Sequence, residues 1–227
     1  MWAVVPAAGS GQRLAAGLPK ALVRIAGRPM LLWALDALAA AGVRGAVVAG
    51  PVDASGSAAL ATVLSGEAPP LEVRVVAGGP DRTASVAAAL ARVPADAAVV
   101  LVHDAARPLV PVPVVERVIA AVLGGADGAV PALPVVDTVK QVVGNVVHAT
   151  VDRGDLVAVQ TPQGFDPAVL RDAYARSAPW AAVTDDAGLV EAMGRVVHVV
   201  AGDPEGFKVT RPLDLLLAEA VLARRTR

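Results

Sequence analysis

The chain has 227 residues, 55% of them hydrophobic but only 3% aromatic, with a formal net charge of -1 at pH 7. With no cysteine, disulfides and thiolate metal sites are excluded, and the three histidines, His103, His148 and His198, show no zinc-binding spacing. There is no basic stripe for nucleic acid, no apolar run long enough to cross a bilayer and no basic leader, so a cytoplasmic protein without nucleic-acid or membrane partners is expected.

A short apolar strand, Ala3–Pro6, runs into Ala7-Ala8-Gly9-Ser10-Gly11-Gln12-Arg13 and, a few residues later, Pro19-Lys20. Small residues let backbone N–H groups approach a ligand closely, and Arg13 and Lys20 add two cations to the same loop. Backbone donors with fixed positive charge suit a polyphosphate. A dinucleotide fingerprint needs a small residue where Leu14 stands, and a Walker loop needs Gly-Lys-Ser/Thr where this chain has Pro19-Lys20-Ala21. On the loop alone, a plain glycine turn with surface cations remains open.

Further Val-rich strands are expected at Gly45–Ala49, Glu72–Val76, Ala98–Val102, Gly128–Ala132 and Val196–Val200. Alanine-rich helices alternate with them near Pro29–Ala41, Ser57–Leu64, Thr83–Arg92 and Pro113–Leu123. Continuous apolar strands joined by helical crossovers predict an α/β fold, a doubly wound and mostly parallel sheet. Such sheets bind ligands at the carboxyl ends of their strands. Three polar loops fall there: the first loop, Gly78-Gly79-Pro80-Asp81-Arg82-Thr83-Ala84-Ser85, and His103-Asp104-Ala105-Ala106-Arg107-Pro108.

The alternation breaks at about residues 135–158. Val135–Val143 reads as a strand, Gly144-Asn145 as a two-residue turn and Val146–Val151 as its return. An isolated hairpin is marginal in water, so this arm is expected to pack on something, a second copy of the chain before its own domain. The rest of the 227 residues is read as one domain carrying that excursion.

AAGSGQR…PK, GGPDRTASV, VHDAARP, PVVDTVK, DR…QTPQGF, TDDA and KVTRPLDL follow in this order over almost the whole chain. Together they resemble the 2-C-methyl-D-erythritol 4-phosphate cytidylyltransferases. The resemblance implies a Rossmann-like nucleotidyltransferase fold and a homodimer interlocked by the hairpin arm. It also implies magnesium and two substrates, CTP and a polyol phosphate. By resemblance, Ala7, Ala8, Gly9, Gly11, Arg13 and Lys20 hold the nucleotide's phosphates, Gly79 and Ser85 read the cytosine, and Asp104 and Ala105 meet the sugar and α-phosphate. Arg153, Lys208, Thr138, Thr161 and Thr184 hold the acceptor, Arg153 reaching across from the partner subunit. Arg13, Lys20, Arg153 and Lys208 form the catalytic cationic set.

Each assignment has a bland counterpart: Ser85 as a helix-start residue, Arg107 as a brace, Arg153 as a surface ion pair, the threonines as satisfied core hydroxyls. Asp104 is also a candidate for the magnesium shell, whereas Asp185 and Asp186 read as helix N-terminal charges rather than catalytic groups. The sequence departs from the family pattern at Ala21-Leu22, Pro80 and Gly206-Phe207. The rival functions are a cytidylyltransferase for ribitol 5-phosphate or another polyol phosphate, and a nucleotide-binding regulatory module without catalysis.

Overall fold

A computed structural model describes residues 1–9, 11, 14, 17–176 and 184–225. Strand β1 (Trp2–Pro6) is followed by a 3-10 turn at Lys20–Leu22, a small ladder of β2 (Arg24–Ile25) with β3 (Arg28–Pro29), and helix α1 (Met30–Ala40). Then come β4 (Gly45–Gly50), α2 (Ala54–Gly66), β5 (Glu72–Ala77), α3 (Arg82–Leu90), β6 (Val100–Val102), α4 (Val112–Leu123) and β7 (Gly128–Pro134). The hairpin is β8 (Val139–Val143) with β9 (Val146–Val151). The chain closes with β10 (Val157–Val159), β11 (Gln163–Phe165), α5 (Pro167–Arg176), α6 (Asp186–Glu191), β12 (Val197–Ala201) and α7 (Pro212–Arg225).

The main sheet has eight strands. Parallel pairs join β1 to β4, β1 to β6, β4 to β5 and β7 to β12. Strand β11 runs antiparallel between β6 and β7, and β10 pairs antiparallel with the end of β7. The expected doubly wound, mostly parallel sheet is present, and this antiparallel insertion is the part the sequence does not announce.

Strand alternation explains the two layers of helices. Ala3 and Val5 of β1 point into one core with Leu31, Leu35 and Leu38 of α1 and Val114, Val115 and Val118 of α4. Trp2 and Val4 point to the opposite core with Val86 and Leu90 of α3, Leu170 of α5 and Val190 of α6. Burying both faces is what a strand reading as an unbroken apolar run requires. A third cluster joins Leu14, Val23, Ile25 and Met30 to Val209 and to Ala218 and Leu222 of α7. Leu14, the residue that spoils a dinucleotide fingerprint, is thus a core residue.

The hairpin is shorter than expected. Its ladder covers Val139–Val143 and Val146–Val151, with Gly144 at φ +60° in the turn and a register shift after Gln141. Residues 135–138 lie outside any strand, and Val157–Val159 return to the main sheet as β10. Val142, Val143, Val146 and Val147 are all more than half exposed.

Candidate active site

A cleft of about 340 Å³ opens beyond the carboxyl ends of β1 and β6, lined by Pro6, Ala7, Gly9, Lys20, Arg82, Asp104, Ala105 and Lys208 among others. This is the edge where a parallel sheet binds its ligand. Each side chain is brought there by a different local device.

Lys20 opens the 3-10 turn Lys20–Leu22, and its backbone N–H donates to the Gly9 carbonyl at 2.9 Å. That bond folds the end of the first loop back onto its beginning. Ala21 and Leu22 are buried, so the turn is anchored by apolar packing while Lys20 stays at the cleft. Arg13, expected in the same loop, lies outside the described residues.

The second loop is closed on itself. Asp81 caps α3, its carboxylate accepting from the Ala84 N–H at 2.8 Å. The Ser85 hydroxyl donates to the Asp81 carbonyl at 2.8 Å and accepts from the Gly79 N–H at 3.0 Å. Gly79 is obligatory by space, since a Cβ there would stand 2.3 Å from the Ala84 Cβ. Gly79 and Ser85, expected to read a base, are therefore hydrogen-bonded to each other.

The third loop follows β6. The His103 N–H continues the ladder onto the Val4 carbonyl at 2.9 Å, and the Asp104 N–H donates to the Thr161 hydroxyl at 3.0 Å. His103 is fully buried, its Nδ1 stands 3.1 Å from that same hydroxyl, and its Nε2 has no partner among the described residues. Burial pushes its pKa down to about 4, keeping the ring neutral. Arg107 is the brace the sequence allowed, donating to the carbonyls of Gly206 at 2.8 Å and Val159 at 3.3 Å.

Charge is organised around Asp104. Its Oδ1 accepts from Arg82 Nε at 3.2 Å and its Oδ2 from Lys208 Nζ at 2.7 Å. Burial acts to raise this carboxyl, but Arg82 and Lys208 outweigh it and hold it below the usual carboxylate range. Arg82 also reaches Asp186, Nη2 to Oδ2 at 2.7 Å, and the Tyr174 hydroxyl donates to the other oxygen of Asp186 at 2.6 Å. Burial works to lower the Arg82 pKa, while Asp186 and Asp104 more than reverse it, so the guanidinium is charged at every working pH. Three cations, Lys20, Arg82 and Lys208, thus line a cleft in which Asp104 is the carboxylate. Such a site favours an anion carrying several charges.

Arg82 is a site residue that sequence reasoning passed over. Its available signal was its place in the first turn of the helix that closes a ligand-edge loop; its partner Asp186 lies 104 residues away. Asp185 and Asp186 divide as helix-start residues: Asp185 caps α6 by accepting from the Gly188 N–H, and Asp186 is fully buried against Arg82.

Of the remaining expected residues, Ala7, Gly9, Ala105 and Lys208 line the cleft, and Thr161 is buried beneath it. Ala8 and Gly11 flank it in the first loop. Thr138, at the foot of the arm, and Thr184, ahead of α6, are exposed and do not line the cleft. Arg153 is exposed at the base of the arm, where it donates to the Val136 carbonyl, and is likewise absent from the cleft of its own chain.

The family model described as 2-C-methyl-D-erythritol 4-phosphate cytidylyltransferase matches residues 1–224. A protein of that name from Nocardia farcinica is 52% identical, the alignment covering 98% of this chain and 94% of that protein. One from Streptomyces coelicolor is 51% identical, covering 98% and 85%. The crystal structure of the Thermus thermophilus enzyme of that name superposes with a TM-score of 0.77 at 38% identity, covering 96% of this chain and 97% of that one. The 4-diphosphocytidyl-2C-methyl-D-erythritol synthase structure from Anaerococcus prevotii gives 0.82 at 26% identity, covering 98% and 97%. The chain therefore belongs to the 2-C-methyl-D-erythritol 4-phosphate cytidylyltransferase family.

Proposed function

We propose that this chain transfers the cytidylyl group of CTP to 2-C-methyl-D-erythritol 4-phosphate in isoprenoid biosynthesis. A phosphate oxygen of the acceptor attacks the α-phosphorus of CTP in line, the bond from that phosphorus to the bridging oxygen of the β-phosphate breaks, and pyrophosphate leaves. The observation that carries this reading is the convergence of Lys20, Arg82 and Lys208 on one cleft at the carboxyl edge of the sheet. Two anions must be held against their mutual repulsion, and charge must be neutralised as it develops, so fixed cations do most of the work.

In this reading Lys20, with Arg13 seven positions before it in the same loop, takes the triphosphate and the α-phosphoryl transition state. Arg82 faces the nucleotide with its charge secured from behind by Asp186. Lys208 holds the acceptor phosphate, completed by Arg153 of a second copy. The exposed valines of β8 and β9 support a homodimer formed through the arm, since a bare apolar hairpin gains by being covered. Among the described residues no helix is long and apolar enough to cross a membrane, and we place the reaction in the cytoplasm.

Magnesium belongs to the proposal as well. Among the described residues no cluster of three or more His, Cys, Asp or Glu could hold a metal. The donor set instead fits an ion arriving on the triphosphate, with the ionised Asp104 as its one protein carboxylate, either as a ligand or through a bound water. Such an ion supplies charge neutralisation between the phosphates.

The test is pyrophosphate release by the purified chain with CTP, magnesium and either acceptor. Release with methylerythritol phosphate and little with ribitol 5-phosphate is expected. A preference for ribitol 5-phosphate overturns the substrate assignment, and nucleotide binding without release overturns the enzyme.

A further inference from the structure

We propose that Gln160 is a positioning residue whose side-chain amide fixes where the Lys208 ammonium stands in the cleft. This rests on the assignment of Lys208 to the acceptor phosphate and deepens it. Gln160 follows β10 and is buried, with its own N–H donating to the Pro131 carbonyl at 2.7 Å. Its side chain makes a paired contact with one residue of the segment that carries Lys208. Nε2 donates to the Asp203 carbonyl at 2.8 Å, and Oε1 accepts from the Asp203 N–H at 3.0 Å. A primary amide supplies both a donor and an acceptor, which neither an ionised carboxylate nor a thioether of the same length does.

The turn is wrapped around that amide. A Cβ on Gly202 would stand 2.5 Å from Gln160 Oε1 and 2.9 Å from the Ala132 carbonyl oxygen, so the segment closes only with glycine there. Beyond the turn, Gly206 is held through its carbonyl by Arg107, and the Val209 N–H donates to the Ala106 carbonyl at 2.8 Å. Lys208 sits between these anchors. The neighbouring residue, Thr161, accepts from the Asp104 N–H. The consecutive pair Gln160-Thr161 therefore sets Lys208 and Asp104, the two halves of one ion pair, in register. Fixing the Lys208 backbone sets where its four-carbon stem begins, and the ion pair with Asp104 then selects among its rotamers.

The experiment uses Gln160→Met, which keeps the length and loses both bonds, and Gln160→Glu, which keeps the acceptor and loses the donor. Both substrates are varied in steady-state assays of the full chain, beside Lys208→Ala. Amine labelling read by mass spectrometry gives a second readout. The sequence has three lysines, Lys20, Lys140 and Lys208, so each is resolved and Lys140 on the arm serves as reference. The acceptor KM is expected to rise about tenfold or more with the CTP KM held within about threefold. Lys208 labelling relative to Lys140 is expected to rise about threefold or more as the ammonium leaves Asp104. Unchanged Lys208 labelling, or equal losses for both substrates, overturns the proposal. If Lys208→Ala leaves the acceptor KM unmoved, the assignment of Lys208 fails, and labelling alone then decides the positioning claim.

Discussion

Lys208 Nζ lies 2.7 Å from Asp104 Oδ2, joining two residues 104 positions apart across the mouth of the cleft. Asp104 is the more buried partner and also holds Arg82 through its other oxygen. One carboxylate thereby spaces two cations that would otherwise repel each other. Any magnesium ion shared with Asp104 must compete with both.

That competition is measurable. Asp104→Asn keeps the shape and removes the charge, leaving Arg82 and Lys208 facing each other. The kcat/KM for CTP is expected to fall about tenfold to a thousandfold, and the magnesium concentration for half-maximal rate to rise about tenfold. An unchanged magnesium titration in the variant would remove Asp104 from the ion's shell.

Arg82 and Asp186 form the buried half of the same network. Asp186 is fully buried, so replacing Arg82 by Met leaves a carboxylate with the Tyr174 hydroxyl as its named side-chain partner and is expected to cost about 3–5 kcal/mol in urea unfolding. Adding Asp186→Leu removes the stranded charge, and more than half of the loss should return. A double variant no better than Arg82→Met would show that the pair is not energetically coupled.

His103 sets an acid limit. Its folded pKa of about 4 lies below the ordinary value of 6.5, so the unfolded chain binds the extra proton first. This contribution is fully present above pH 6.5 and lost as pH falls toward 4, amounting to about 2 kcal/mol between pH 7 and pH 5. Asp104, also depressed, adds its own loss at lower pH, below the usual carboxylate range. Urea unfolding of native protein and of His103→Asn at the two pH values checks this: the variant should show the flatter dependence.

Much of this architecture is legible in the chain. β1, β4, β6 and β7 stand out because strands buried on both faces read as unbroken apolar runs, whereas β5 and β12, largely exposed, are marked by their valines. The Gly144-Asn145 turn announces the hairpin. β10 and β11 do not announce themselves: three residues each, around Thr161-Pro162, are too few for any periodicity, and the neighbours β6 and β7 supply their pairing. The candidate site divides in the same way. Lys20, Asp104 and Lys208 belong to contiguous motifs, whereas the role of Arg82 depends on Asp186 and that of Gln160 on Asp203, contacts created only by the fold.

The arm gives a prediction about assembly. Arg153 is absent from the cleft of its own chain, and the reading gives it to the partner's acceptor site. Lys20→Ala and Arg153→Ala should each be nearly inactive alone. When the two are mixed and allowed to exchange subunits, heterodimers contain one site with neither change, and activity should recover to about a quarter of native. No recovery despite demonstrated exchange would place Arg153 in its own subunit's site or outside catalysis.

Lys20 gives the most direct test of the cytidylyl-transfer mechanism. Single-turnover pyrophosphate release is compared for native protein and Lys20→Ala, with CTP, magnesium and methylerythritol phosphate all saturating. The rate should fall about a hundredfold to ten-thousandfold while the urea midpoint stays where it was, the loss expected when a fixed charge at a phosphoryl transition state is removed. A variant rate within about threefold of native, at equal stability, would contradict the account.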